Sequence, residues 1–428
     1  MVSSLLFGTL LVVGVGFFYR SVKKLAKAIH LGRPLSAVDR KKERLLQMLR
    51  LGFGQQKMQR NLLVGVLHFV VYLGFLIINL ELLEIVIDGL FGTHRVFSGL
   101  GVFYNSAIAV FEFFALAVIV AVIVFWARRN WVRIARFWSP EMKGWPKSDA
   151  NWILVIELIL MLLFLTMNAA DYALQIRGEL QYPSAGWFPV SGLLLPLIDG
   201  FSTSTLMVIE RTAWWLHIAG ILFFLNYLYY SKHLHILLAF PHTYLSSLEP
   251  LGKLENNEVV TGEVKMMMGL EATPLSSEAP MSFGAKDVSD LSVVQLLGAF
   301  SCTECGRCTA ACPANQTGKL LSPRKIMMDT RDRATAIVEA KDPASVTEDH
   351  LLDRYISREE LWACTTCNAC VESCPIGISP MSIILSMRQY ITMEEAQAPS
   401  DLNAMMTNIE NNGAPWPFSA EDRLNWIK

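Results

Sequence analysis

Two cysteine-rich stretches determine the fold of the C-terminal half: Cys302-Thr-Glu-Cys-Gly-Arg-Cys-Thr-Ala-Ala-Cys-Pro313 and Cys364-Thr-Thr-Cys-Asn-Ala-Cys-Val-Glu-Ser-Cys-Pro375. Each has the spacing C-x2-C-x2-C-x3-C followed by proline. Together they contain all eight cysteines of the 428-residue chain. Closely spaced thiols on a short loop are typical of metal ligation, and the repeated spacing indicates two equivalent sites.

The spacing is that of ferredoxins with two cubane [4Fe–4S] clusters. Three thiolates on one loop cap three corners of a cube, and the fourth corner takes the Cys-Pro cysteine of the other motif. Zinc and disulfides are the alternatives, but a four-ligand zinc site does not explain the third cysteine of each motif. We therefore assign one cluster to Cys302, Cys305, Cys308 and Cys374, and the other to Cys364, Cys367, Cys370 and Cys312.

The overall composition is that of a membrane protein with more than one domain. Hydrophobic residues make up 53% of the chain and charged residues only 18%, and the mean hydropathy is +0.36. The net charge of −1 conceals basic clusters that flank apolar segments. No basic surface typical of nucleic-acid binding is visible, so nucleic acid is not an expected partner.

Five apolar segments are each about long enough to span a bilayer: 5–19, 62–80, 107–126, 152–167 and 213–230. The first is short, but its positive charges follow it rather than precede it. It also lacks a small-residue cleavage site. We therefore interpret it as a retained anchor and not as a signal peptide.

Loop charges predict the orientation. Twelve Lys or Arg residues lie between Arg20 and Arg60, and six lie between Arg128 and Asp149. The loops after the second and fourth segments are poor in basic residues: the first contains Arg95 alone, and the second contains Arg177 and, just before the fifth segment, Arg211. The positive-inside rule then predicts an inner-membrane protein with its N-terminus outside and its cysteine motifs in the cytoplasm, where disulfides are disfavoured.

Two histidines lie within the apolar segments, His68 in the second and His217 in the fifth. An imidazole in hydrocarbon is costly, and two on different helices suit bis-histidine ligation of a b-type haem. The alternative is that each ring only hydrogen-bonds a neighbouring helix. Counting helical rise from Arg60 and Lys232 places His68 closer in depth to His217 than to His235.

Three acidic residues in or near the spans have different interpretations. Glu157 is a candidate proton acceptor near a quinone. Glu210 is followed directly by Arg211, which predicts an ion pair at the membrane interface. Glu112 has no specific assignment.

We expect an all-α protein with four parts: a transmembrane domain (1–245), a linker (246–290), a two-cluster ferredoxin domain (291–395) and a partner-docking tail (396–428). A helix is predicted over 291–300 with Asp290 as its N-cap. A second is predicted over 323–340, opening with Pro323 in its first turn. The long spacer between the motifs favours a helical ferredoxin domain over the small β-rich type.

The motifs resemble those of membrane-bound heterodisulfide-reductase-related proteins, including the electron-transfer-flavoprotein:menaquinone oxidoreductase type. The resemblance is carried by C-T-E-C-G-R-C-T-A-A-C-P-A-N-Q-T-G-K-L-L-S-P-R (302–324) and C-T-T-C-N-A-C-V-E-S-C-P-I (364–376). In the membrane half it is carried by G-Q-Q-K (54–57), His68 and S-K-H-L-H-I (231–236). It covers nearly the whole chain and implies a cytochrome b domain similar to the nitrate reductase gamma subunit.

The gamma-subunit pattern has two haems, with histidine pairs ten and eighteen residues apart. His217 and His235 are eighteen apart, whereas Met58 stands ten residues before His68. The resemblance therefore implies one haem held by His68 and His217. A second haem would need Met58 and His235, so one haem is expected rather than two. The role of His233 stays open.

The resemblance also implies how the protein works. Fused relatives continue, after a segment like E-N-N-G-A-P-W (410–416), into two cysteine-rich repeats of consensus C-C-G, which we expect here on a separate subunit. The expected function is electron transfer between such a partner and menaquinone or another quinone, with electron-transfer flavoprotein as a candidate donor. The alternative is a haem-free membrane anchor and assembly platform for a soluble iron–sulfur enzyme.

Overall fold

The computed structural model describes residues 2–35, 38–254, 256–270, 283–419 and 421–427. Within these ranges the chain is helical, with two isolated β-bridges and no strand. The α-helices of the described part are α1 (Val2–Ile29), α2 (Lys41–Met48), α3 (Leu62–Phe91), α4 (Val102–Asn130), α5 (Trp145–Ile176), α6 (Leu195–Ile198), α7 (Thr203–Tyr227), α8 (His235–Leu245), α9 (Glu258–Met267), α10 (Val293–Ser301), α11 (Arg307–Ala311), α12 (Pro313–Gln316), α13 (Pro323–Glu339), α14 (Arg358–Trp362), α15 (Ala369–Ser373), α16 (Pro380–Met393) and α17 (Ser400–Asn412).

Five of these helices, α1, α3, α4, α5 and α7, are long and apolar enough to cross a membrane. They confirm the predicted all-α class with five spans. Each of these helices is longer than the apolar segment predicted for it. The second apolar segment was predicted to end at residue 80, whereas α3 runs on to Phe91 and carries two glutamates inside the bundle.

Small residues let the spanning helices approach closely, as is usual where packing rather than water drives association. A Cβ added at Gly89 of α3 would lie 2.6 Å from the ring of Phe7 in α1. A Cβ at Gly220 of α7 would lie 2.8 Å from Leu160 in α5. Phe7 is 1% exposed, so its ring fills the space that Gly89 leaves.

Buried charges join the helices at the end of the bundle that contains the loop between α3 and α4. The guanidinium of Arg95 donates to Asp171 at 2.6 Å, Tyr104 at 2.9 Å and Asn168 at 3.1 Å. Tyr104 in turn donates to Glu84 at 2.8 Å. Every member of this network has a partner, as buried polar groups require.

Two acidic residues singled out in the sequence have structural partners at the same end. Glu112 accepts hydrogen bonds from the backbone N–H groups of Val190 and Ser191, at 2.8 Å and 3.0 Å. Glu210 forms the predicted ion pair with Arg211. The prediction for Glu210 is therefore confirmed, and Glu112 stabilises the loop between α5 and α7.

The iron–sulfur half has its own core, formed mainly by α10, α13 and α16 around Leu296, Ile326 and Ile383. Helix α13 begins at Pro323, as predicted, and Ser322 caps it. The predicted N-cap of α10 is wrong. Ser292 caps this helix through a capping box with Gln295, because Asp290 closes a separate 3₁₀ turn one step earlier.

The segment predicted as a linker contains ordered elements. Helix α9 lies within it, and Ala285 and Val288 are fully buried in the iron–sulfur core. Residues 255 and 271–282 of this segment lie outside the described residues. In the predicted tail, α17 has no buried residue.

Arg324 connects the iron–sulfur half to the loop between α4 and α5 through an ion pair and a hydrogen bond. Its side chain is 0% exposed and donates to Glu141 at 2.7 Å and to the carbonyl of Arg136 at 2.7 Å. A buried guanidinium needs this degree of pairing to offset the loss of hydration. The contact ties the start of α13 to a basic loop of the membrane half.

A second contact joins the other basic loop to the second cysteine motif. Lys57 lies 3.4 Å from Glu372, and Arg60 pairs with the same carboxylate. Backbone hydrogen bonds between Arg33 and the 291–293 segment form a third contact. All of these contacts involve loops that the charge pattern assigns to one side of the membrane.

Replacing Gly89 by Ala tests the close approach of α1 and α3. The added Cβ meets the Phe7 ring, so we expect a loss of about 1–3 kcal/mol in stability, as for other overpacked sites. Thermal unfolding of the purified protein in detergent measures the change.

Gly16→Ala is the matched control, because nothing lies within 4 Å of a Cβ at that position. It should unfold at or above the wild-type temperature, since alanine favours the helix. Equal midpoints for the two variants would contradict the packing that we describe.

Candidate functional site

The two cysteine loops have the same backbone form. In the first, Glu304 and Gly306 have φ values of 52° and 71°; in the second, Thr366 and Asn368 have 54° and 60°. These left-handed residues occupy the same positions in each motif, two and four after the first cysteine. They turn the backbone so that successive thiols face one site, which explains why the spacing repeats.

The grouping of the thiols follows the arrangement that crossed ligation requires. Cys374 lines the same cavity as the first three cysteines of the other motif, Cys302, Cys305 and Cys308. In the second group, burial raises the pKa of Cys370 to about 12, and the thiols of Cys364 and Cys312 act in the same direction. Each Cys-Pro cysteine thus lies beside the opposite motif.

The thiols of Cys302 and Cys374 are crowded and largely shielded from water. Burial raises the pKa of Cys302 to about 12 and that of Cys374 to about 11, with neighbouring thiols contributing. Thiolates can be held so close only if a cation compensates their charge, and cluster iron does so. Among the described residues, no three His, Cys, Asp or Glu side chains converge as ligands of a single metal ion. This agrees with cubane ligation, in which each cysteine binds a different iron atom of the cluster.

A cavity of about 400 Å³ connects the first cysteine group to the membrane half. Its wall includes the four thiols of that group together with His68, His233 and His235. His68 lies in the first third of α3, and His235 opens α8. The ring centres of His68 and His235 are 6.4 Å apart, with 40° between the ring planes.

Hydrogen bonds fix both rings in one orientation. Nδ1 of His68 donates to Oε1 of Gln55 at 2.9 Å, and Nδ1 of His235 donates to the carbonyl of Lys232 at 3.1 Å. Nε2 of each ring is therefore the nitrogen left for a metal, which is the usual arrangement for histidine ligands. Burial lowers the pKa of His235, which keeps its imidazole in the neutral form that binds metals.

His68 and His217, the expected ligand pair, line different cavities. His217 lines the more apolar of the two and donates from Nδ1 to the carbonyl of Leu160 at 3.1 Å. The depth count assumed a straight helix, whereas the chain reverses after α7 through two 3₁₀ turns. This reversal brings the His233 ring within 5.4 Å of Phe224 and returns His235 to the level of His68.

The cavity wall also contains unsatisfied cationic groups. Nη2 of Arg129 and Nε of Arg136 are buried without a hydrogen-bond partner among the described residues. Buried donors normally have acceptors, so these atoms indicate that an anionic group belongs in the cavity. A haem, with its two carboxylates, fits both these arginines and the two imidazoles. Met58 lines the same wall.

Lys232 links the histidine segment to the first cysteine loop. Its ammonium lies 2.5 Å from Glu304, which also pairs with Arg331 at 2.8 Å. Burial opposes ionisation of Glu304, but Lys232 and Arg331 hold the pKa of this carboxyl below its usual value. A charged carboxylate is therefore fixed between the first two cysteines of the motif.

Sequence reasoning missed two residues: Gln55, which lies beside His68, and Glu81, which lies farther along α3. Gln55 is buried, has a φ of 48° and orients His68 through a hydrogen bond. It belongs to the quoted G-Q-Q-K stretch, but nothing in that stretch assigned it a role. Glu81 was overlooked because the apolar segment ends one residue before it. A helix of average tilt is longer than its apolar run, which is the signal that could have identified Glu81.

Comparisons with known proteins support the iron–sulfur assignment. Residues 301–378 match the family model of the 4Fe-4S dicluster domain. The chain is 28% identical to the probable iron-sulfur-binding oxidoreductase FadF of Bacillus subtilis, over 99% of this chain and 60% of that protein. It is 24% identical to the EtfAB:quinone oxidoreductase of Syntrophomonas wolfei, over 91% of this chain and 54% of that protein.

A third relative matches a shorter part of the chain. It belongs to the ferredoxin/F(420)H(2)-dependent CoB-CoM heterodisulfide reductase of Methanosarcina acetivorans, and it is 36% identical over 104 residues, 24% of this chain and 52% of that polypeptide. No solved structure gives a significant match. The relatives are thus iron–sulfur oxidoreductases, and this chain spans a little over half the length of the first two.

Replacing Cys374 or Cys312 by Ser tests the crossed ligation. Cys374→Ser should damage the cluster bound by Cys302, Cys305 and Cys308, and Cys312→Ser should damage the other. Each variant should lose up to about four of about eight irons, because one cubane loses a corner ligand. Electron paramagnetic resonance of the reduced protein separates the two signals.

Cys308→Ser and Cys370→Ser are the controls, since each removes a ligand within its own loop. The spectrum of Cys374→Ser should match that of Cys308→Ser. A match to that of Cys370→Ser would refute crossed ligation.

Proposed function

We propose that this chain is a membrane-bound electron-transfer protein that connects a soluble redox partner with the quinone pool. Electrons would pass through two [4Fe–4S] clusters and one b-type haem. The observation that carries the proposal is the cavity lined both by Cys302, Cys305, Cys308 and Cys374 and by His68 and His235. Two kinds of metal ligand line one cavity at the junction of the two halves.

His68 and His235 are the proposed haem ligands. Two imidazoles on opposite faces of one iron have ring centres roughly 6 Å apart, because metal–nitrogen bonds are about 2 Å long. The observed 6.4 Å agrees with this spacing, and both Nδ1 atoms are already engaged. Arg129 and Arg136 would pair with the carboxylates of the same group. A haem bound there supplies a one-electron carrier.

The order of the two clusters follows from their exposure. Cys367 of the second motif is exposed, whereas the thiols of the first group face the internal cavity. The second cluster would therefore exchange electrons with the soluble partner and the first with the membrane half. A partner with cysteine-rich repeats, or an electron-transfer flavoprotein, is the proposed donor, and transfer toward menaquinone is the preferred direction. The names of the relatives support this assignment.

We also propose that the iron–sulfur half faces the cytoplasm of a bacterial inner membrane, with the N-terminus on the opposite side. The contacts at Lys57, Arg136 and Lys232 support this orientation, because each lies in or beside a strongly basic loop. Basic loops stay on the cytoplasmic side.

Replacing His68 or His235 by Leu tests the haem site. Each variant should lose the b-type haem absorbance almost completely, because one axial ligand is missing. The measurement is haem per polypeptide together with the reduced-minus-oxidised spectrum of the anaerobically purified protein.

His217→Leu is the matched control and should retain the haem, since His217 lines the other cavity. Iron and sulfide content should stay at wild-type level in all three variants. Haem loss in His217→Leu with retention in His235→Leu would return the ligand pair to His68 and His217. A wild-type protein without haem would favour the membrane-anchor alternative.

A further inference from the structure

A second cavity lies within the spanning helices, between α3, α4, α5 and α7. Its wall is almost entirely apolar, with side chains such as Phe75, Ile78 and Met161. Three ionisable groups interrupt this wall: Glu81, Glu157 and His217. The cavity adjoins the first one and shares Val71, Phe75 and Glu157 with it, but its wall contains no cysteine and neither His68 nor His235.

Glu81 is the unusual member of this wall. It is 5% exposed, and its Oε2 is buried without a hydrogen-bond partner among the described residues. Its neighbour Glu84 accepts from Tyr104 and from the backbone of Phe97, and Glu112 is likewise bonded. An unpaired carboxyl in an apolar interior costs free energy, so its presence here indicates that it serves a ligand.

His217 supplies a second polar contact. Its ring is 3% exposed, and Nδ1 is held by the Leu160 carbonyl, so Nε2 is the nitrogen left for a ligand. The Phe164 ring lies 6.1 Å from this imidazole. The site thus combines apolar and aromatic walls with polar groups contributed by separate helices, which is the composition of small-molecule sites.

We propose that this cavity binds the headgroup of a membrane quinone, with Glu81 and His217 as its hydrogen-bonding contacts. A quinone ring is flat and apolar with a carbonyl oxygen at each end, and its isoprenoid tail remains in lipid. A carboxyl group can donate to a quinone carbonyl and can accept from a hydroquinone hydroxyl. The inference rests on the proposed function, since it identifies where the proposed electron carrier meets its quinone.

The test is equilibrium binding of menadione, a short naphthoquinone, to the full-length protein in detergent. Quenching of intrinsic tryptophan fluorescence reports binding without a partner protein or turnover. In Glu81→Leu the affinity should fall at least tenfold, because a hydrogen bond is lost. The unfolding temperature should stay equal or rise, because an unpaired buried carboxyl is removed.

Glu112→Leu is the matched control, with the same chemical change on a neighbouring helix. It should lower the unfolding temperature, because three hydrogen-bond donors lose their acceptor, and it should leave the affinity for menadione unchanged. A Glu81→Leu protein that binds menadione as well as wild type overturns the inference. So does a Glu81→Leu protein with a lower unfolding temperature, because Glu81 would then be structural.

Photolabelling of the wild type with an azidonaphthoquinone does not depend on the stability of a variant. Labels on residues that line this cavity alone, such as Ile78 of α3, Met161 of α5 and Ile221 of α7, support the inference. Labels confined to the cavity of His68 and His235 overturn it while leaving the proposed function intact. A wild-type protein that binds no quinone overturns both.

Discussion

The side chain and carbonyl of Lys232 hold the two halves of this protein in register. Its ammonium lies 2.5 Å from Glu304, inside the first cysteine loop, and its carbonyl accepts the Nδ1 hydrogen bond of His235. Lys232 and Glu304 are both largely buried, and each has a further partner of opposite charge: Asp149 lies 3.9 Å from Lys232, and Arg331 lies 2.8 Å from Glu304. The position of the cysteine loop and the orientation of the histidine are therefore set by one residue.

Other contacts also join the two halves of the protein. Arg324 joins α13 to the loop between α4 and α5, and Glu372 joins the second motif to the loop before α3. The basic residues of these loops thus have two roles. They fit the charge asymmetry expected across a membrane, and they pair with carboxylates of the iron–sulfur half. This double use explains why a domain with no spanning segment packs directly on the bundle.

Much of this organisation could be predicted from local patterns. The cysteine spacing, the apolar segments and the proline that opens α13 each depend on a few neighbouring residues, and the structure agrees with all three. The histidine pairing could not be predicted in this way. It depends on how the chain turns between Tyr227 and His235, where a straight extrapolation of helical rise no longer holds. The position of Glu81 inside a spanning helix was not predicted for a related reason. Hydropathy locates the centre of a spanning helix but not its ends.

The position of Glu81 also bears on the energetics of the membrane. It lies thirteen residues beyond His68 on the same helix, a distance of about 20 Å along the axis, against a hydrocarbon thickness of about 30 Å. An electron that passes from the histidine pair to a quinone beside Glu81 moves across much of the insulating layer. Its free energy then depends on the transmembrane voltage, with an upper bound of about 2.3 kcal/mol per 100 mV for a full crossing. In the proposed orientation the electron moves outward, so a membrane that is negative inside would favour this transfer. Under the proposed function, the length of α3 would couple the redox reaction to the electrical state of the cell.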